Sequence, residues 1–263
     1  MDKTTRTTEK PRPYFGITGI TTNSQAQEIL NVYHPSQLSS VPKRDIMIGV
    51  LVSQKTFSGQ KNKYPNRYPV KDNLADIFPN HPLALNLIHY STDDTSTLLD
   101  QLVAVTQAAG PFFHGFQLNI AWPKSKVIRE YIALYPFARI VLQIGSRACD
   151  LVGNRPNWLA DMVAEFYGDI VDHVLLDVSG GEGKIFDSEK FRDYIVALKT
   201  KGLPVGIGVA GGLSPETVDI LEPLAEEFPD LNTDVEKGAR DENDNLDLGK
   251  TTQLLKRELE IFK

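Results

Sequence analysis

An aspartate followed closely by three glycines, in Leu175-Leu176-Asp177-Val178-Ser179-Gly180-Gly181-Glu182-Gly183, is the segment of this chain best suited to chemistry. Its first half is apolar and reads as a strand, so Asp177 falls at the strand's carboxyl end. A carboxyl group leaving apolar surroundings holds its proton more readily and suits general-acid work. Gly180, Gly181 and Gly183 let backbone amides come close to a ligand, and Glu182 adds a second carboxylate. The plainer reading is a tight turn carrying a solvated Asp177.

A second glycine turn, Gly206-Ile207-Gly208-Val209-Ala210-Gly211-Gly212-Leu213-Ser214-Pro215, joins a strand to the start of a helix. Gly211, Gly212 and the capping Ser214 would leave N–H groups pointing outward, an arrangement that favours an anion. Packing alone is the competing explanation for those glycines. A third segment, Asn232-Thr233-Asp234-Val235-Glu236-Lys237-Gly238-Ala239-Arg240-Asp241, mixes charges. Lys237 and Arg240 would support a phosphate and Glu236 would oppose one, so a surface salt-bridge cluster fits this stretch equally well.

The elements that must position these groups follow a rhythm of short apolar, β-branched runs alternating with longer stretches of helical period. Eight runs read as strands, near 14–21, 45–52, 83–89, 112–119, 139–144, 173–178, 205–210 and 232–235. Continuous apolar runs such as Ile46-Met47-Ile48-Gly49-Val50-Leu51-Val52 belong to strands covered on both faces. Helices are expected over 24–33, 74–78, 96–109, 124–135, 157–167, 188–201, 215–228 and 246–262. This count and order predict an α/β chain folded as a (β/α)8 TIM barrel over residues 13–263, with a doubly wound open sheet as the alternative. In a barrel, a phosphate site commonly forms after strands seven and eight, where the second and third segments lie. The polar stretch 53–72, with Lys55, Lys61, Lys63, Arg67 and Lys71, is too long for an ordinary loop and reads as a lid or as a solvated insertion.

The chain's 263 residues suit one barrel domain, and a net charge of −6 gives no general attraction to nucleic acid, which is therefore not an expected partner. Cys149 is the only cysteine, so an intrachain disulfide is impossible and the cytosol is the expected compartment. No apolar run reaches the roughly 18 residues of a membrane span, and the polar start, 1–12, reads as a disordered tail. The five histidines show no ligand spacing, so no metal and no other cofactor is expected. Ser179 lacks a nucleophile elbow, and Trp122 reads as packing before it reads as a stacking surface. Asn86 and Gln143, within strands, would point polar groups toward the barrel interior or its mouth.

Taken in order, the three segments resemble phosphoribosylanthranilate isomerases. That family carries a strand Asp followed by G-G-x-G-x-x-F-D, here Asp177 to Asp187, then A-G-G-L-x-P-x-x-V, here Ala210 to Val218, then D-V-x-x-G, here Asp234 to Gly238. Ile17-Thr18-Gly19-Ile20-Thr21 is similar to the family's strand-one I-C-G-I-T, Gln117-Leu118 to its strand-four Q-L-H-G, and Arg67-Tyr68 to a segment after strand two. The resemblance implies a barrel acting on a phosphorylated sugar. In the family, a strand-six Asp is the general acid and a strand-one Cys the general base of an aldose-to-ketose rearrangement. It implies Asp177 as acid, Arg67, Gln117, Gly180, Gly181 and Gly183 at the substrate, and Gly211, Gly212, Ser214, Lys237 and Gly238 at the phosphate.

Three departures stand out. Thr18 occupies the place of the base, and a lone hydroxyl is far too weak a base near neutral pH. Asn119 stands where the family has histidine, and Glu236-Lys237 replace a serine pair. The expected function is therefore a divergent isomerase-like barrel whose base comes from Glu182, Asp234 or His89; the alternative is a non-catalytic phosphosugar-binding or regulatory barrel. Its expected partner is a small phosphorylated ligand, with self-assembly left open.

Overall fold

The computed structural model describes residues 9–32, 44–177 and 188–263. Eight strands, β1 (Tyr14–Thr18), β2 (Asp45–Ser53), β3 (Ala84–Ser91), β4 (Gly115–Leu118), β5 (Arg139–Gly145), β6 (His173–Asp177), β7 (Gly206–Ala210) and β8 (Asn232–Val235), pair in sequence order. All pairings are parallel, and β1 pairs with β8, so the sheet closes into a barrel and the open-sheet alternative falls. Closure removes both sheet edges.

The alternation of side chains along each strand divides the core in two. Phe15, Ile17, Ile46, Ile48, Ile88, Phe116, Ile140, Leu142, Val174 and Val209 belong to the large apolar layer beneath the helices. Tyr14, Met47, Leu85, Leu87, Val141, Leu175 and Ala210 form a separate small cluster that fills the lumen. Polar inward positions lie above that plug, toward the strands' carboxyl ends.

The surrounding helices are α1 (Asn23–Val32), α2 (Gln54–Phe57), α3 (Leu98–Ala108), α4 (Ser125–Leu134), α5 (Ser146–Leu151), α6 (Pro156–Phe166), α7 (Ser188–Lys199), α8 (Glu222–Glu227) and α9 (Leu248–Ile261). Among the described residues, no helix is long and apolar enough to cross a membrane. Within the polar start, Lys10 pairs with Asp230, and Arg12 reaches Asp45 at 2.7 Å.

Several boundaries differ from the sequence expectation for local reasons. β1 stops at Thr18 because Gly19 turns the chain at φ 94°, its amide and that of Ile20 both donating to the Gly49 carbonyl, at 2.8 and 3.1 Å. No long helix follows β2; α2 and two 3-10 turns, Pro65–Arg67 and Lys71–Asp76, take its place. α5 occupies a stretch expected to be loop. The helix expected from residue 215 begins as a 3-10 turn, Val218–Leu221, and only then becomes α8. Ser214 favours a local turn there, its hydroxyl accepting from the Glu216 amide at 3.2 Å.

Candidate active site

Five polar side chains from five strands join across the top of the lumen. The Thr18 hydroxyl on β1 donates to Asp234 Oδ1 on β8 at 2.8 Å. From β4, on the opposite side of the barrel, Gln117 Nε2 reaches Asp234 Oδ2 at 2.8 Å and Gln143 Oε1 at 3.1 Å. Gln143 on β5 donates its own Nε2 to Asp177 Oδ2 on β6 at 2.9 Å. A carboxylate only accepts, so both amides must aim their NH2 groups at the acids. Asp177 and Asp234 are thereby tied through two glutamines, a link that only inward-facing side chains in a closed barrel can make.

Asp234 is 5% exposed, and Thr18 and Gln117 are fully buried beneath it. Burial pushes the Asp234 carboxyl above its ordinary range; the Gln117 and Thr18 hydrogen bonds and the nearby His89 oppose that rise, and Glu236 adds to it. His89, on β3, is 6% exposed, and its Nδ1 has no partner among the described residues. The buried Tyr14 phenol is raised well above its usual value by desolvation and, secondly, by Asp234.

Above this network opens a cavity of about 340 Å³. Asp177, Gln143 and Asp234 line it together with the turn after β7, Ala210 to Ser214, and the segment after β8, Val235 to Gly238, and Arg67 completes the wall. Gly211 and Gly212 have φ of 97° and 71°, a backbone that side-chain-bearing residues adopt only under strain. Among the described residues, no backbone carbonyl accepts from either amide. Gly238 has a different reason to be glycine: a Cβ there would lie 1.9 Å from the Leu213 carbonyl oxygen, so the β7 and β8 loops meet backbone to backbone. Lys237 is exposed at the rim, and the Ser214 hydroxyl donates to Glu216 at 2.7 Å.

The residues named from sequence thus separate into groups. Asp177, Asp234, Arg67, Gly211, Gly212, Ser214, Lys237 and Gly238 border one cavity, while Thr18 and Gln117 lie under it, bonded to Asp234. Gly180, Gly181, Glu182 and Gly183 lie outside the described residues.

Two arginines near the cavity are held by protein partners. Arg67 donates through Nε and Nη2 to both oxygens of Asp244 at 2.7–2.9 Å and through Nη1 to Glu236 at 2.7 Å. It also stacks 4.2 Å above the Tyr64 ring. Burial works against its charge, but the bonds to Asp244 and Glu236 outweigh that and hold the guanidinium above its ordinary value. Arg240, for which phosphate support and a surface salt bridge were equal readings, turns inward: it is 4% exposed and donates to the Gly19 and Asp244 carbonyls at 3.1 and 2.9 Å, bracing the end of β1. Its chain direction was invisible in the sequence.

Other candidates are structural. Trp122 donates to the Ala148 carbonyl at 2.9 Å and packs on Tyr167, and Asn86 Nδ2 spans the Pro79 and Phe112 carbonyls at 2.9 and 2.8 Å. The site includes a partner that sequence reasoning missed, Asp244 as the clamp on Arg67. A φ of 65° at Asp244, tolerated by aspartate, was the only distinctive local feature, and it shows only in three dimensions.

A closed parallel (β/α)8 barrel with its cavity at the carboxyl ends of the strands places the chain among barrels of the TIM type. Within that class its fold is that of solved phosphoribosylanthranilate isomerases. The enzyme from Thermus thermophilus matches with TM-score 0.60 and 15% identity over 94% of this chain and 98% of its own. Monomers of the dimeric enzyme from Thermotoga maritima match with TM-score 0.59 and 16% identity over 93% and 97%. A third isomerase structure, solved with reduced 1-(o-carboxyphenylamino)-1-deoxyribulose 5-phosphate, gives TM-score 0.57 and 15% identity over 93% and 97%. No protein-family model and no curated protein matches by sequence.

Proposed function

We propose that this barrel binds a small phosphorylated sugar derivative and interconverts its aldose and ketose forms, with Asp177 as general acid and Asp234 as general base. The observation that carries this reading is that both carboxyl groups and the positive-φ glycine pair border a single cavity. The Gly211 and Gly212 amides hold the phosphate, with Lys237 at the rim supplying charge. Ser214 contributes less, because its hydroxyl is shared with Glu216.

Asp234 takes over the role that Thr18 cannot fill. A carboxylate whose pKa has been raised is a stronger base once ionised, and donors from Thr18 and Gln117 favour the ionised form. Asp177 gives a proton to the carbonyl oxygen while Asp234 takes one from the neighbouring hydroxyl-bearing carbon, leaving an enediol; Asp234 then returns its proton to the former carbonyl carbon while Asp177 takes back a proton from the other hydroxyl, which becomes the new carbonyl. Substrate and product have the same atoms, so no co-reactant enters. Loss of either carboxyl group should slow the reaction about 10²–10⁴-fold.

The test is exchange of deuterium from solvent into the sugar carbon beside the carbonyl, across a panel of phosphoribosyl compounds. Exchange is expected in the wild type and should disappear in Asp177→Asn. Exchange at an undiminished rate in that variant removes Asp177 from the mechanism. A second reading, a barrel that binds phosphosugars without turning them over, draws support from Thr18, whose hydroxyl proton is already committed to Asp234. Binding by calorimetry without exchange in any compound would favour it.

A further inference from the structure

The polar stretch after β2 is fastened to the barrel in an uneven way. Between Lys61 and Pro69 no residue is buried, and no hydrophobic side chain belongs to the apolar core. Its backbone bonds, from Arg67 to the Tyr64 carbonyl at 3.1 Å and from Tyr68 to the Pro65 carbonyl at 3.3 Å, stay inside the stretch. Among the described residues, every hydrogen bond that leaves 61–69 comes from two neighbouring side chains: Asn66 donates to the Asn243 carbonyl at 3.0 Å, and Arg67 donates to Asp244 and Glu236. The receiving side is built differently. Asp244 belongs to a hairpin closed by the Arg240–Leu246 bridge; the buried Arg240 ties that hairpin to the Gly19 carbonyl, and Lys250 on α9 donates to the Arg240 carbonyl at 2.9 Å.

A loosely held half and a braced half thus meet at one point, and that point borders the cavity, since Arg67 and Glu236 are both part of its wall. Segments with few buried apolar contacts are the first to open in a folded protein. What opposes opening here is a forked ion pair whose side chains, Arg67, Glu236 and Asp244, are only 14%, 28% and 31% exposed, and which therefore holds better than a fully solvated pair. We propose that 61–69 is a strap closing one side of the cavity, fastened by the clasp of Arg67 on Asp244 and Glu236 and released as a unit when that clasp opens. Release takes the Arg67 wall away and lets a bound ligand leave. The strap stands whatever the ligand is; its part in retaining a phosphosugar rests on the phosphosugar reading.

Asp244→Asn is the clean variant, because Asp244 does not line the cavity and asparagine tolerates its φ of 65°. Arg67→Met removes the clasp from the other side. Backbone 15N relaxation of the full chain is expected to give order parameters for 61–69 near those of the strands, about 0.85, in the wild type and below about 0.6 in Arg67→Met, with Asp244→Asn between them and the strands unchanged. Ribose 5-phosphate, followed by stopped flow, should dissociate about threefold faster or more from Asp244→Asn while its association rate changes little. Equal order parameters for 61–69 in the wild type and both variants overturn the strap, and unchanged dissociation from a loosened strap overturns its retaining role. If ribose 5-phosphate does not bind the wild type, the phosphosugar reading and the retaining role fall together, and the relaxation data alone decide the strap.

Discussion

Two buried carboxyl groups, Asp234 and Glu258, have opposite surroundings. Asp234 points into the lumen, accepts from Thr18 and Gln117, and borders the cavity. Glu258, on α9, is sealed at 0% exposure between helix and barrel, where Thr233 and Arg44 act on it but neither carboxyl oxygen has a partner at hydrogen-bond geometry among the described residues. Arg44 is itself held there, sandwiched 4.7 Å from Phe15 and 4.5 Å from Phe262 and donating to the Leu231 carbonyl at 2.7 Å. Burial raises both acids, Glu258 to about 8. A perturbed pKa therefore does not by itself separate the two acids; access to a cavity and a network leading to a second acid do.

The largest effect that would break this contrast belongs to Asp234. Asp234→Asn is expected to lower kcat about 10²–10⁴-fold while phosphosugar affinity measured by calorimetry stays within a few-fold. Glu258→Gln should leave kcat unchanged and act on stability. The folded chain keeps the Glu258 proton up to about pH 8, whereas the ordinary glutamate value is 4.5. Between those values the folded state binds the extra proton, so stability is fullest at low pH, falls as pH rises and levels off beyond the folded value. Glutamine needs no proton, so thermal melts should show Glu258→Gln raising Tm by about 5 °C at pH 8 and much less at pH 5. A variant less stable than wild type at pH 8 would show that Glu258 is ionised and usefully paired with Arg44.

Smaller effects sharpen the account of the lumen. The Gln117 hydrogen bond lowers the Asp234 pKa, so Gln117→Leu should raise it and move the acidic limb of the kcat/KM profile to higher pH. Thr18→Val removes the other donor; its upward shift should be smaller, with a rate loss of about fivefold or less at the optimum. A pH profile that ignores both substitutions would separate Asp234 from the ionisation that controls rate.

Much of this barrel was legible in the sequence because closed parallel sheets leave a strong imprint: continuous β-branched runs, glycine turns after them and helices between. Asp177, Asp234 and the Gly211-Gly212 pair could be placed at strand ends on that basis alone. What remained hidden depended on direction and distance. The inward turn of Arg240 beneath Gly19, the bidentate grip of Asp244 on Arg67 and the span of Gln117 across the lumen join residues far apart in the chain, and nothing in their local neighbourhoods announces them. Glu258 sits in an amphipathic helix where an acid ordinarily faces water, so its burial was equally unreadable.

A crystal structure with ribose 5-phosphate bound tests the central claim most directly. The account predicts phosphate oxygens within hydrogen-bond distance of the Gly211 and Gly212 amides, with the sugar lying between the Asp177 and Asp234 carboxyl groups. A phosphate held elsewhere, or a sugar that leaves Asp234 out of reach, would contradict it.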